Sequence, residues 1–292
     1  MADVEHQRGY YDSAYLADYY MSFWTEHPSL HDVEIYWRHL KSAVLSKQQS
    51  DESFVLLDVG TGTGRVLNFL IAKTGDDPAI PLATMRFIGM DKSSYMLARA
   101  RSAKNLPSDA DVSWFEGTAT ALQALDPFAS SAMKVDLLIF AFSGVNHLHL
   151  PEEIEQFFAS MKQVLRPGGL ALVSVCDPLL DVRGSSIFNP YGEVKEVKSK
   201  HLEGILYRER ATGQKIDRDL FMNSLKTEVV QVNADGSEQV VERNNHDIPL
   251  KLLTREILHG IIAKAGLQFV QEEESMEEII FVLEKPGTKD IH

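Results

Sequence analysis

The sequence predicts an α/β protein built on a mostly parallel sheet, and three observations carry that reading. Between residues 55 and 176, short apolar runs alternate with amphipathic helical stretches. That is the rhythm of strands returning to one sheet through helices. The first run ends in a loop with glycine at every second position, Gly60-Thr61-Gly62-Thr63-Gly64. Two further apolar runs, 268–273 and 279–285, close the pattern.

The elements follow in order. Strands are expected at 55–60, 85–91, 112–117, 135–142 and 170–176, with helices near 64–73, 94–104 and 152–165. The last of these helices stops at Arg166-Pro167-Gly168-Gly169, because proline cannot continue a helix and glycine turns the chain into the next strand. A later helix spans 254–265, with Thr254 as its N-cap, Glu256 in its first turn and Gly266 as its stop. Residues 1–49 are helical in pattern and rich in aromatics. Residues 178–253 hold extended stretches at 225–232 and 239–242, joined through Asp235-Gly236, a hairpin signal. An insertion of about 75 residues is too long for a simple connection. It is expected to cover one edge of the site.

Composition narrows the function. The 292 residues suffice for one large domain or two small ones. No apolar run approaches the roughly 18 residues of a membrane span, and the first residues show no secretory pattern. The single cysteine, Cys176, excludes an intramolecular disulfide and a cysteine-based zinc site. A cytoplasmic location is expected. Asp and Glu number 42 against 29 Lys and Arg, a net charge of −13. A surface that acidic repels phosphate backbones. The densest basic stretch, Lys195, Lys198 and Lys200, is interleaved with Glu193 and Glu196 and reads as a solvated helix face. The expected partner is a small molecule, with no nucleic acid and no membrane. The oligomeric expectation is a monomer or a homodimer.

The glycine loop is the strongest motif. Its glycines allow left-handed turns and let a ligand approach main-chain N–H groups. Dinucleotide sites place a third glycine where this chain has Arg65, which weakens a nicotinamide reading. Asp58, two residues before the first glycine, suits a ligand bearing an ammonium or hydroxyl group. Asp91 closes the second strand, where a carboxylate can accept both hydroxyls of a ribose; alone, it would more often be a helix cap, and the glycine loop one strand earlier reverses that preference.

Taken together, these motifs resemble the class I S-adenosylmethionine-dependent methyltransferases. Besides Asp58-Val59-Gly60-Thr61-Gly62-Thr63-Gly64 and Ile88-Gly89-Met90-Asp91, the resemblance rests on Phe115-Glu116-Gly117-Thr118 and on the fourth-strand run at 135–142. Leu165-Arg166-Pro167-Gly168-Gly169 and the two closing strands complete it. It implies a Rossmann-like seven-stranded, mostly parallel sheet with an antiparallel seventh strand. A helical lid would occupy 1–49 and the methyltransferase domain 50–292, with the β-rich insertion 178–253 between strands five and six. It also implies S-adenosylmethionine as cofactor and S-adenosylhomocysteine as product. Asp58, Gly60, Thr61 and Gly62 would hold the methionine portion, Asp91 the ribose, and Met96 the adenine face. Lys92, Gly117, Thr118 and Phe142 join the expected cofactor set, although Lys92 and Thr118 depart from the family's usual residues there.

The fourth strand delivers Phe142-Ser143-Gly144-Val145-Asn146-His147 to the reacting edge. Methyl transfer is an in-line displacement, so the protein must align the nucleophile and exclude water. His147 is the candidate base, since imidazole titrates near neutrality; a structural histidine bonded to the loop is the competing role. Seven aromatics crowd residues 10–24: Tyr10, Tyr11, Tyr15, Tyr19, Tyr20, Phe23 and Trp24. Such faces favour a cationic sulfonium or amine, while the same i, i+4 spacing serves a helix docked on a core. Tyr11 and Tyr19 are assigned to the cofactor, and Tyr15 and Tyr20 to the substrate. Arg38 is a candidate partner for the cofactor carboxylate. Asn146, Tyr207 and Arg208 are candidate substrate contacts.

The leading reading is methyl transfer to N or O of a small metabolite, with no metal, since no ligand-type Asp/Asn cluster is evident. The alternative keeps fold and cofactor for a non-methylating cyclisation or rearrangement in natural-product biosynthesis. A regulatory cofactor-binding protein and a nicotinamide oxidoreductase are weaker readings.

Overall fold

The computed structural model describes residues 11–24, 31–47, 52–104, 106–130, 132–181, 194–217, 219–275 and 277–287. Tyr10 and Glu193 lie outside the described residues. Two helices come first, α1 (Ala14–Trp24) and α2 (Asp32–Lys47). Then strands and helices alternate: β1 (Phe54–Val59), α3 (Arg65–Asp76), β2 (Met85–Asp91), α4 (Ser94–Arg101) and β3 (Asp111–Glu116). A short α5 (Asp126–Ala129) leads to β4 (Val135–Phe140), α6 (Pro151–Val164) and β5 (Leu165–Cys176). Four antiparallel strands follow, β6 (Val194–Lys198), β7 (Ile205–Asp217), β8 (Leu220–Val232) and β9 (Glu238–Lys251). The described chain closes with α7 (Arg255–Ala265), β10 (Gln268–Ser275) and β11 (Glu278–Glu284).

The main sheet has seven strands in the order β10-β11-β5-β4-β1-β2-β3. Strands β1 to β5 pair in parallel, while β11 runs antiparallel to both β5 and β10. This is the seven-stranded architecture expected from the sequence. Strand β1 is buried along its whole length, as a central parallel strand must be. Val55, Leu57 and Val59 face one core with Phe157, Phe158 and Met161 of α6 and Leu258 and Ile262 of α7. Phe54 and Leu56 face the other, with Tyr36, Leu40 and Val44 of α2 and Leu67, Leu70 and Ile71 of α3. Helices therefore cover both faces, and the strand order reverses between β1 and β4.

Local chemistry sets the boundaries. Thr254 accepts the Ile257 N–H at 3.1 Å, and Gly266, at φ 70°, ends α7 in the left-handed region. Gly236 takes φ 80° in the β8–β9 turn, as its hairpin signal implied. Helix α4 is shorter than expected because the Ser102 hydroxyl and N–H both turn back to the Arg99 carbonyl. The expected turn at Arg166–Gly169 is instead drawn into β5: the Gly168 N–H donates to Lys285 O at 2.7 Å, and the Lys285 N–H to Gly169 O at 3.0 Å. The basic stretch beginning at Lys195 corrects another expectation. It forms the exposed edge strand β6, because Val194 to Lys198 pair with Arg210 to Leu206 of β7, and Lys195 Nζ lies 5.1 Å over the Phe23 ring.

Helix α1 packs on the second sheet. Tyr19 is buried against Ile205, Tyr207 and Val229, with Tyr15 and Phe23 beside them. The Asp18 carboxylate is fully buried there and accepts the hydroxyls of Ser199 and Tyr207, each at 2.6 Å. Arg99 of α4 reaches it at 3.3 Å. No helix among the described residues is long and apolar enough to cross a membrane.

Candidate active site

A cavity of about 260 Å³ opens at the carboxyl ends of the parallel strands, beside the β1/β4 reversal, the place where open α/β sheets bind ligands. Eleven of the residues singled out in the sequence line it. Gly60 and Gly62 come from the loop after β1, and Asp91, Lys92 and Met96 from the tip of β2 and the start of α4. Gly117 and Thr118 follow β3, Phe142 and His147 follow β4, and Tyr11 and Tyr20 arrive from the N-terminal segment.

The glycine loop is short because its backbone folds on its neighbours. The Thr61 N–H donates to Met90 O at 2.9 Å and the Gly64 N–H to Thr61 O at 2.9 Å. Gly60, Gly62 and Gly64 all take positive φ, which explains glycine at every second position. A Cβ added at Gly62 would meet nothing within 4 Å, so open space lies directly above this main chain.

Asp91 organises the opposite rim. Its two carboxylate oxygens accept the N–H groups of Gly62 and Ser93, each at 2.8 Å. A carboxylate has about four acceptor positions, so it retains capacity for ligand hydroxyls. Burial raises its pKa, against the lowering effect of those two N–H groups. Ser93 also caps α4 by accepting the Met96 N–H, and donates its hydroxyl to Tyr11 O at 2.6 Å. The N-terminal segment is thereby tied across the cavity to the tip of β2.

An aromatic wall forms the other side. Tyr11 stands edge-on to Tyr20 at 6.3 Å and to His147 at 6.5 Å, and Tyr20 meets Phe142 at 6.2 Å. Burial, helped by Lys92 and His149, lowers the His147 pKa to about 4. The imidazole is therefore neutral near pH 7, an acceptor or single donor rather than a cation. Burial pushes the Tyr20 phenol up to about 12, although Arg65 opposes the shift.

The remaining expected residues lie outside this cavity. Asp58 is 1% exposed beneath the loop and accepts the Thr61 hydroxyl at 2.6 Å; burial lifts its carboxyl to about 7. Both residues support the loop from below instead of facing the cavity. Arg38 is 65% exposed and forms an ion pair with Glu273. Tyr19 donates its hydroxyl to Glu209 at 2.9 Å, and Tyr15 packs in the same cluster. Tyr207 is buried on Asp18, and Arg208 of β7 bridges Glu196 of β6 and Glu238 of β9 across the second sheet. Asn146 is fully buried, donating to Lys251 O at 2.8 Å and accepting the Cys176 N–H at 3.0 Å. Asp58, Tyr19, Tyr207 and Asn146 point into the interfaces between elements, a direction that residue type alone does not reveal.

Ala141, Gly144, Leu148 and His149, from the fourth-strand run and the segment that follows it, also line the cavity, as does Glu153, which had no signal beyond its place at the start of α6.

The comparisons agree with this architecture. Residues 56–169 match the family described as a methyltransferase domain. The chain is 58% identical over 289 residues to a protein named N-methyltransferase FrzE from Cladobotryum sp, covering 98% of this chain and all of that one. Among solved structures, it resembles the S-adenosylmethionine-bound amino pentose methyltransferase CalS10 from Micromonospora echinaspora, at 20% identity and TM-score 0.60. That likeness spans 96% of this chain and all of the other. The sugar N-methyltransferase KedS8 from Streptoalloteichus sp gives TM-score 0.63 at 15% identity, over 98% of both chains. At such identities the two structures speak for the fold, while the close relative speaks for the family. The chain belongs to the S-adenosylmethionine-dependent methyltransferases.

Proposed function

We propose that the protein transfers the methyl group of S-adenosylmethionine to an amine nitrogen of a small natural-product intermediate. The single observation that carries the choice of nitrogen is the 58% identity, over the whole of both chains, to a protein named an N-methyltransferase. It favours methyl transfer over the cyclising alternative.

The residues present fit such a cofactor. Main chain with open space above it at Gly62, a carboxylate at Asp91 and the buried Met96 side chain line one cavity. Gly60 and Gly62 would flank the methionine portion, Asp91 would take the ribose hydroxyls, and Met96 and Thr118 would flank the adenine. When bound, the cofactor supplies an electrophilic methyl on sulfur.

The chain's own part is to present a neutral amine in line with that methyl and to keep water away. Burial in the cavity favours the uncharged amine, because it disfavours an ammonium ion. Lys92, on the same cavity, acts in the same direction. His147, neutral with its pKa near 4, is a weak base. It serves better by accepting an N–H hydrogen bond that orients the lone pair. Helix α1 and the second sheet serve as the cover over this edge.

Two experiments test the reading. Calorimetric titration with S-adenosylmethionine and S-adenosylhomocysteine, with NADH as control, is expected to show binding of the first two only. Incubation with methyl-labelled S-adenosylmethionine and paired amines and alcohols is expected to label nitrogen. Label on oxygen alone would refute the choice of acceptor, and silence with both sulfur ligands would refute the cofactor.

A further inference from the structure

Two consecutive non-glycine residues after β4, Phe142 at φ 53° and Ser143 at φ 55°, sit in the left-handed region. Among the described residues, only Asp181 shares that distinction without being glycine. Such a conformation persists only when its surroundings over-determine it.

Two strands hold this one. The Ser143 N–H donates to Ser174 Oγ of β5 at 2.7 Å, and the Ser143 hydroxyl donates to Glu278 Oε1 at 2.8 Å. Glu278 is the first residue of β11, opposite Cys176, and is only 7% exposed. A carboxyl buried at that point costs solvation, and an apolar side chain would fill the space without that cost. Directly before Ser143 stands Phe142. That ring lines the cavity, stands edge-on to Tyr20 at 6.2 Å and lies 5.7 Å from the Arg65 guanidinium. The turn has little freedom elsewhere, since a Cβ on Gly144 would come within 2.2 Å of the Phe140 ring.

We propose that Glu278 is a positioning residue of the methyl-transfer site, holding the left-handed Phe142–Ser143 turn through the Ser143 hydroxyl and so fixing the Phe142 ring on the cavity wall. The role rests on the reading of the cavity as the cofactor site. It assigns a function to the antiparallel strand, which otherwise only closes the sheet.

The test uses the full chain labelled with 4-fluorophenylalanine, with the Phe142 signal identified by its loss in Phe142→Leu. In Glu278→Leu and in Ser143→Ala the Phe142 fluorine resonance is expected to move to the same new position. In Glu278→Gln, which keeps an acceptor oxygen, it is expected to stay. Calorimetric affinity for S-adenosylhomocysteine is expected to weaken about tenfold in the two loss variants, as for one lost buried hydrogen bond. The double variant Glu278→Leu/Ser143→Ala is expected to be no weaker than either single one. If Glu278→Leu does not fold, Ser143→Ala removes the same bond from its other end and decides the matter. An unmoved Phe142 resonance in a wild-type background that binds S-adenosylhomocysteine overturns this role alone, as do additive losses. Failure of the wild-type chain to bind S-adenosylhomocysteine overturns the methyltransferase reading, and this role with it.

Discussion

Arg65 forks onto Asp32: its two terminal nitrogens donate to the two carboxylate oxygens, each at 2.8 Å, joining the first residue of α3 to the first residue of α2. A dinucleotide fold would have a glycine at position 65 to pack helix on strand. Here the arginine lies 5.7 Å from the Phe142 ring and fastens α2 to the start of α3, beside the glycine loop. Asp32 is 1% exposed and the Arg65 side chain 16%.

Removing one partner of so buried a pair leaves the other charge uncompensated, at a cost of about 3–5 kcal/mol. Asp32→Ala is therefore expected to lower unfolding free energy by about that much. Asp32→Leu combined with Arg65→Met is expected to recover most of the loss. Urea denaturation curves decide it; equal losses for the single and double variants would show that the pair acts independently of its charge.

Asp91 is expected to matter to ligand affinity more than to folding. Its oxygens hold the Gly62 and Ser93 N–H groups and face the cavity. Charged acceptors contribute about 1.5–3 kcal/mol per hydrogen bond. Asp91→Ala is then expected to weaken S-adenosylhomocysteine binding by about a hundredfold or more, and Asp91→Asn by less. Asp58→Asn, beneath the loop, is expected to change affinity less than Asp91→Ala. Calorimetry on the three variants reverses the assignment if Asp58→Asn proves the most damaging.

The sheet was legible in the sequence because its signals are local. Glycine at 60, 62 and 64, the carboxylate closing β2, and Thr254 with Gly266 bracketing α7 each encode a backbone feature within a few residues. The second sheet was only half legible: its hairpin signal at Gly236 marked the turn, while the strands proved longer than their apolar runs. A polar run in β9, Glu242-Arg243-Asn244-Asn245, gives no hydrophobic period to read. Side-chain destinations were the least legible. Tyr11, Tyr19 and Tyr20 look alike in sequence, yet Tyr11 and Tyr20 reach the cavity while Tyr19 turns to Glu209. Which face of α1 meets the second sheet is a tertiary fact, fixed by Asp18 finding Ser199, Tyr207 and Arg99.

That buried carboxylate predicts how α1 is secured. Asp18 is fully buried and links α1 to β7, to Ser199 beyond β6, and to α4. Asp18→Ala is expected to leave the main sheet folded while raising amide hydrogen exchange along α1. Because α1 carries Tyr20 into the cavity, affinity for S-adenosylhomocysteine is expected to fall in parallel. Tyr207→Phe, which removes one of the hydroxyls on Asp18, is expected to do the same more mildly. Exchange along α1 that matches the wild type in Asp18→Ala would show that apolar packing of Tyr19 alone holds the helix.

His147 and Glu278 should tilt stability with pH in opposite directions. Burial, with Lys92 and His149 nearby, holds the folded His147 near 4, below its ordinary 6.5. As pH falls from 6.5 toward 4, the unfolded chain takes up a proton that the folded chain refuses, so the wild type loses stability across that window. His147→Gln lacks this loss, and its stability relative to the wild type is expected to improve steadily on acidification. Burial and the Asp32 charge lift Glu278 to about 7 from 4.5, against the opposing effects of Ser143, Arg65 and Ser174. Between those values the folded chain keeps a proton that the unfolded chain has released, so this group's contribution declines as pH rises through the window. Glu278→Gln is thus expected to gain on the wild type from pH 4.5 to 7. Denaturant curves for all three proteins, taken in half-unit steps, read both slopes at once. A wild-type minus His147→Gln difference that stays flat below pH 6.5 would mean that the ring titrates in the folded protein as it does in water. The neutral, hydrogen-bonding role assigned to it would then fail.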